Sequence, residues 1–252
     1  MRTGVAASSA ILTAAGLLAA CVVVPPKQMG GADAQQPADS AVVKMIAGSL
    51  LPALYQGDLP CADCAGLRYS VDLRPDSVYF MRTTYLGKGG PQGTSYDDIG
   101  RYSLSQDART LTLQGGREPL SLYFENSVTL RVLDRSGQRI DSDLNYYLKN
   151  VPSYQPLEPR LAMRGMYSYM ADAGRFRECR TQLDLPVAQS ADNRALESAY
   201  GTARPQPGQP VMVSLQGRIA MQPKMEGEGL QPTLVVEKFE KVSPGESCQG
   251  AP

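Results

Sequence analysis

Five cysteines are the residues of this 252-residue chain whose spacing could do chemistry: Cys21, Cys61, Cys64, Cys179 and Cys248. Cys61-Ala62-Asp63-Cys64 sets two thiols close together, and that spacing serves three purposes. Oxidised, the pair is a small disulfide that pins a loop. Reduced, its two thiolates suit Cu(I), a soft ion content with few sulfur ligands. In a thiol oxidoreductase such a pair sits at a helix N-terminus, where the dipole lowers the thiolate pKa. Here Gly66 to Leu73 alternates like a strand, so that activation is missing and exchange catalysis ranks last. The structural bridge ranks first, with copper(I) on Cys61 and Cys64 second. Asp63 reads as a turn residue and a poor ligand for Cu(I). Thioethers offer a further soft-metal set. Met163, Met166 and Met170 share one strand candidate, and Met221 and Met225 flank a Pro-Lys turn, although gap-filling in small cores is the commoner use of methionine. The chain has no histidine. That removes the usual general base, the Ser-His and Cys-His pairs and the commonest zinc ligand, and no catalytic residue is assigned.

Cys21 stands in a different setting. Arg2 supplies a short cationic start, and Val5 to Leu17 is an apolar, Ala-rich stretch too short for a bilayer-spanning helix of about 20 residues. Leu18-Ala19-Ala20 then runs into Cys21, which resembles the lipobox of bacterial lipoproteins, where a thiol takes a diacylglycerol before cleavage. Residues 1–20 are therefore expected to be a lipoprotein signal peptide, and Cys21 the lipidated first residue of the mature chain. Two or three acyl chains, at about 0.8 kcal/mol per buried methylene, hold far more firmly than one. No later segment is long and apolar enough to span, so the acyl chains are the expected contact with the membrane. Val22, rather than Asp, follows Cys21, which in enterobacterial lipoproteins resembles the outer-membrane destination, facing the periplasm.

Loss of residues 1–20 removes one charged side chain, Arg2, leaving 24 basic against 25 acidic groups. That balance carries no basic footprint for nucleic acid. With Cys21 taken by lipid, four cysteines remain in an oxidising compartment, an even number that allows two disulfides. Three pairings are open in principle. The short spacing favours Cys61 with Cys64, which leaves Cys179 with Cys248. The second bridge closes a long loop and would staple the C-terminal tail. Because Cys248 follows the polar run Ser243-Pro244-Gly245-Glu246-Ser247, this bridge is the candidate redox-sensing element.

The elements that position these residues are mostly strands. Residues 21–52, with Pro25-Pro26, Gly30-Gly31 and few large apolar groups, read as the lipidated N-terminus and a flexible tether. From Gly66 to Leu148 the apolar pattern has period two, beginning with Leu67, Tyr69, Val71 and Leu73 on one face. It continues through Val78 to Tyr85, Tyr102 to Leu104, Thr110 to Leu113, Leu120 to Phe124, Val128 to Leu133 and Tyr146 to Leu148. Turn signals at Arg74-Pro75-Asp76-Ser77, Gln114-Gly115-Gly116 and Asp134-Arg135-Ser136-Gly137 suit an up-and-down antiparallel barrel over 53–150. Residues 151–159 hold three prolines and read as a linker. A second unit over 160–252 has strand candidates Met163 to Met170, Arg175 to Thr181, Val211 to Met221 and Thr233 to Val242. One helix, Asp192 to Tyr200, interrupts them with Asp192 as its cap, and the order fits an OB-like small barrel. Tyr167 and Tyr169 alternate as on an OB nucleic-acid platform, but the charge balance speaks against that use.

The run Tyr55-Gln56-Gly57-Asp58-Leu59-Pro60-Cys61-Ala62-Asp63-Cys64-Ala65-Gly66-Leu67 resembles the signature opening the N-terminal domain of the NlpE family of envelope lipoproteins. Tyr85-Leu86-Gly87, Gly100-Arg101-Tyr102, Leu133-Asp134-Arg135-Ser136-Gly137 and Asn145-Tyr146-Tyr147-Leu148 recur in the same order as in that domain. Met163 to Asp172, Cys179, Ala195 to Tyr200 and the tail Cys248 are similar to the family's C-terminal OB domain. The chain departs from the family in the Gly-rich loop Gly87 to Thr94 and in its low-complexity tether. The resemblance implies an all-β protein, a lipocalin-like N-terminal barrel followed by an OB-fold barrel with one short helix. It also implies a non-catalytic sensor that reports surface contact, failed lipoprotein trafficking, copper or faulty disulfide formation to a Cpx-type histidine-kinase system. The partners that go with this are the membrane, that kinase system and the lipoprotein export and sorting machinery, with a second copy of the chain as a further candidate. Two alternatives stand beside it: copper(I) tolerance through Cys61 and Cys64, and a lipocalin-like carrier of a small apolar ligand.

Overall fold

The structure, a computed structural model, describes residues 51–248 apart from Arg117 and Pro205. The signal peptide, Cys21 and nearly all of the tether lie outside the described residues. Eight antiparallel strands follow one another in space as in sequence: β1 (Ala53–Leu59), β2 (Gly66–Leu73), β3 (Val78–Leu86), β4 (Thr94–Leu104), β5 (Thr110–Gln114), β6 (Leu120–Asn126), β7 (Thr129–Val132) and β8 (Tyr147–Asn150). β8 returns to pair with β1, Tyr55 opposite Asn150, and the sheet closes into a barrel with no free edge. Gly57 makes that seam possible, since a Cβ there would lie 2.2 Å from the carbonyl oxygen of Tyr147.

Period-two patterning decides which side chains fill the barrel. Leu67, Tyr69, Val71 and Leu73 of β2 face Tyr79 and Met81 of β3 across the register Val71 to Met81 and Leu73 to Tyr79. One end is sealed by Tyr55, Val71, Leu73, Tyr102, Leu111, Leu122, Phe124, Leu130 and Leu148, all buried. The turn at Asp134 forms as its residues dictate, its carboxylate accepting the backbone N–H of Ser136 at 2.9 Å and of Gln138 at 2.8 Å.

The second unit is a five-stranded sheet in the order β11-β10-β9-β12-β13, with β9 (Arg160–Met170), β10 (Ala173–Glu178), β11 (Asp184–Pro186), β12 (Val211–Pro223) and β13 (Leu230–Ser243). Its edges meet where Val187 forms a parallel bridge with Leu234 and Ala188 N–H donates to the Leu234 carbonyl at 2.9 Å. The result is a small barrel of OB type. Helix α1 (Asn193–Ala203) lies between β11 and β12 and buries Leu196 and Tyr200.

Several local expectations are corrected. β1 begins inside a continuous apolar run, Leu51-Pro52-Ala53-Leu54-Tyr55, so alternation gives no sign of it. The Cys61 to Cys64 loop therefore joins two strands and does not precede the first. β4 starts at Thr94, far ahead of Tyr102, because its polar half is held by cross-strand and interdomain bonds. β11 is too short to show a period. Asp192 makes no side-chain cap; its carboxylate accepts the backbone N–H of Phe239 at 2.7 Å, tying the start of α1 to β13. Tyr167, for which the charge balance already spoke against a platform, is fully buried edge-on to Tyr200, ring centroids 5.3 Å apart, and belongs to the core. Met163 is likewise core while Met170 is 69% exposed, so the β9 methionines form no ligand set.

The outer wall of the first barrel is apolar where water would be expected. Val78 and Phe80 of β3 and Ile99 of β4 are buried in one cluster with Met163, Phe176 and Leu215 of the second barrel. The segment 151–159 forms no regular strand but is pinned. Tyr154 Oη donates to Asp72 at 3.0 Å and the Leu157 backbone N–H at 3.0 Å. Burial raises the pKa of Asp72 despite those donors. The folded state thus holds the Asp72 proton more tightly than the unfolded chain, so this group's contribution is intact below about pH 4 and is lost as pH rises through its folded pKa. Asp72→Asn should raise the melting temperature at pH 7 and have less effect at pH 4; a lower melting temperature at pH 7 would show that the carboxylate is worth more than its burial costs.

Candidate functional site

Each barrel carries one disulfide. Cys61 and Cys64 are bonded in the β1–β2 loop, Cα atoms 5.3 Å apart, and Cys179 is bonded to Cys248 with Cα atoms 5.1 Å apart. All four cysteines are partly exposed, so accessibility does not rank the two bridges. Within the first loop, Asp63 forms an ion pair with Lys88 at 2.6 Å, and the Lys88 ammonium holds the Asp63 carboxyl below the usual range. Lys88 also lies 6.0 Å from the ring centroid of Tyr85. The Cys61 and Cys64 sulfurs and an Asp63 oxygen lie within 4.8 Å of one another. Because the sulfurs are bonded to each other and Asp63 is held by Lys88, this state has no thiolate to offer; two soft donors for Cu(I) arise only on reduction.

This loop lies at the open end of the barrel. The loops β1–β2, β3–β4, β5–β6 and β7–β8 gather there, around a cavity of about 890 Å³. Its walls carry Tyr69, Tyr79, Met81, Tyr85, Tyr96, Leu113 and Leu120, with Lys88, Glu118 and Arg135 toward the rim. Asp98 faces the same space. Its Oδ2 accepts the Tyr79 hydroxyl at 2.8 Å, and burial together with this carboxylate pushes the Tyr79 phenol far above its ordinary pKa.

The second barrel reaches this end through the turn after β10. Arg180 Nη1 donates to Asp98 Oδ1 at 3.1 Å and to the Gly115 carbonyl at 2.9 Å, bracing β4 against the β5–β6 loop. Gly115 adopts φ +148° and packs so closely that a Cβ would lie 2.8 Å from both Gly100 Cα and the Ile99 carbonyl. The turn is stiff. Buried Glu178 accepts the Thr181 N–H and hydroxyl at 2.7 Å each, and the Thr181 carbonyl accepts Arg101 Nη1 at 2.8 Å. Cys179 sits inside this turn, between Glu178 and Arg180. Further out, Arg82 forms a two-pronged bond with Asp97 at 2.6 and 2.8 Å, and Asp97 also accepts the Arg160 N–H at 2.8 Å.

Sequence reasoning singled out the cysteines but not Asp72, Asp98 or Arg180. The adjacent acids Asp97-Asp98 are the one local signal that could have drawn attention to the first half of β4.

The class of protein is a two-barrel, all-β protein with one disulfide in each barrel. Residues 55–143 match the NlpE N-terminal domain and residues 157–249 the NlpE C-terminal OB domain. The chain belongs to the NlpE family. It is 31% identical over 239 residues to lipoprotein NlpE of Escherichia coli (strain K12), covering 95% of this chain and 96% of that one. Among solved structures it is similar to the crystal structure of the Cpx pathway activator NlpE from Escherichia coli, with 30% identity over 80% of this chain and 100% of that chain and a TM-score of 0.35. It is also similar to a putative lipoprotein from Shewanella oneidensis, with 27% identity over 42% of this chain and 95% of that chain and a TM-score of 0.36.

Proposed function

We propose that this chain is a non-catalytic envelope-stress sensor, a lipoprotein anchored through Cys21 to the outer membrane and facing the periplasm. It reports surface contact, failed lipoprotein trafficking, copper or faulty disulfide formation to a Cpx-type two-component system. The observation that carries this reading is the relationship over nearly the full length, both domains in order, to a protein described as a Cpx pathway activator. The Cys179–Cys248 bridge is the redox-sensing element in this reading, supported by its place in the turn that docks one barrel on the other. Copper(I) bound by reduced Cys61 and Cys64 is a second reading, favoured by the proximity of the two sulfurs. Overproducing the mature chain should raise the output of a Cpx-type reporter, and an unchanged reporter with the protein confirmed in the envelope would refute the signalling role. For the anchor, Cys21→Ser is expected to abolish acylation and leave precursor unprocessed. A fully processed, soluble product of ordinary size would overturn that assignment.

A further inference from the structure

The open end of the first barrel is a built cavity to which the proposed signalling role assigns no occupant. Its volume, about 890 Å³, lies within the range of sites that enclose drug-sized molecules. Met81, Leu113 and Leu120 give it an apolar wall, and Tyr69, Tyr79 and Tyr85 add ring faces that end in hydroxyls. The charged groups beside it are already engaged among the described residues: Asp98 by Arg180, Asp97 by Arg82, Glu118 by Arg135, Lys88 by Asp63, and Asp134 by the Ser136 and Gln138 donors of its own turn. A charged head group would have to break one of these pairs to find a partner. An uncharged one meets tyrosine hydroxyls ready to share hydrogen bonds.

We infer that the mouth of the first barrel binds a small amphipathic molecule with an apolar, ring-bearing body and an uncharged hydrogen-bonding head, in a site whose wall the second barrel braces from outside through Arg180. Arg180 acts as a positioning residue. It holds Asp98, and through it Tyr79, on one side and the β5–β6 loop on the other. This inference is independent of the signalling role.

N-phenyl-1-naphthylamine, an uncharged aromatic amphiphile, serves as the probe with the full mature chain. The probe should bind saturably at one site per chain with a rise in its fluorescence, and laurate, whose head is a carboxylate, should compete poorly. Met81→Trp should fill the cavity and abolish binding, while Thr83→Trp, nearer the rim of the same strand, tests the same point should the first variant fold badly. The chain has no tryptophan of its own, so either variant also reports its environment through a single fluorophore. Arg180→Ala should weaken probe binding by about tenfold without changing the number of sites, the scale of one lost charge-assisted hydrogen bond. Absence of saturable binding, or binding that survives both tryptophan variants, overturns the site. Equal competition by laurate overturns the uncharged head, and unchanged affinity in Arg180→Ala overturns the part given to the second barrel.

Discussion

Cys248→Ser is expected to loosen the second barrel while leaving the first folded. The bridge spans a sequence separation of 69 residues, and closing a loop of that length in the unfolded chain is worth about 4 kcal/mol in the chain-entropy account. Domains of this size hold only about 5–15 kcal/mol in total, so the loss is a large share. Among the described residues the tail keeps few other ties, chiefly the ion pair of Glu246 with Arg164. The first barrel closes through its own β1–β8 pairing and fills its sealed end with its own side chains. Limited proteolysis followed by mass measurement of the fragments checks this. The second barrel should be cut well before the first in Cys248→Ser, whereas equal resistance with and without the bridge would rule out a stapling role.

Phe80→Ala carries the second large effect. Phe80 points out of the first barrel yet is 1% exposed, because the second barrel covers it, and the Arg74 guanidinium lies 4.9 Å from its ring centroid. Deleting a buried phenylalanine costs about 3–5 kcal/mol. Here the cavity would open in the cluster both barrels share, so the loss falls on their union. Calorimetry should show one unfolding transition dividing into two. Leu122→Ala, inside the sealed end of the first barrel, has a comparable expected cost of about 2–5 kcal/mol but should lower stability without separating the barrels. A single undivided transition in Phe80→Ala would show that the remaining contacts, Val78 and Ile99 among them, are enough to keep the barrels acting as one.

How far the sequence revealed the fold depended on whether one face of each strand met water. β2 and β6 show their period because inward apolar residues alternate with outward polar ones over most of their length, whereas the outer positions Val78 and Phe80 of β3 are apolar because the second barrel covers them. β1 hides in a continuous apolar run, and β4 hides because Asp97 and Asp98 serve cross-strand and interdomain bonds. The alternation in β2 had a second meaning: Ser70 and Asp72, on the face opposite Leu67, Tyr69, Val71 and Leu73, are buried, Asp72 beneath the segment 151–159. The cysteine pairings were legible because, once Cys21 is set aside for lipid, the short Cys61 to Cys64 spacing orders the three alternatives. The cavity was not, since its lining comes from β2 to β6 and the rim loops, and only strand register brings Tyr69, Asp98 and Leu120 to one space. Arg180 carried little local signal: apart from Glu178, two residues away at 3.8 Å, its partners lie 82 and 65 residues away in sequence.

Cys179 is covalently tied to the tail on one side and adjoins, through Arg180, the hydrogen bonds that brace the barrel mouth on the other. Thermodynamic linkage makes such an arrangement two-way. Any free energy by which an occupied mouth favours the docked position of Arg180 in the oxidised over the reduced form returns as an equal shift in the reduction equilibrium of the bridge, at about 30 mV for each 1.4 kcal/mol of a two-electron couple. A redox titration of the tail disulfide therefore measures, without any label in the first barrel, what happens at the opposite end of the contact.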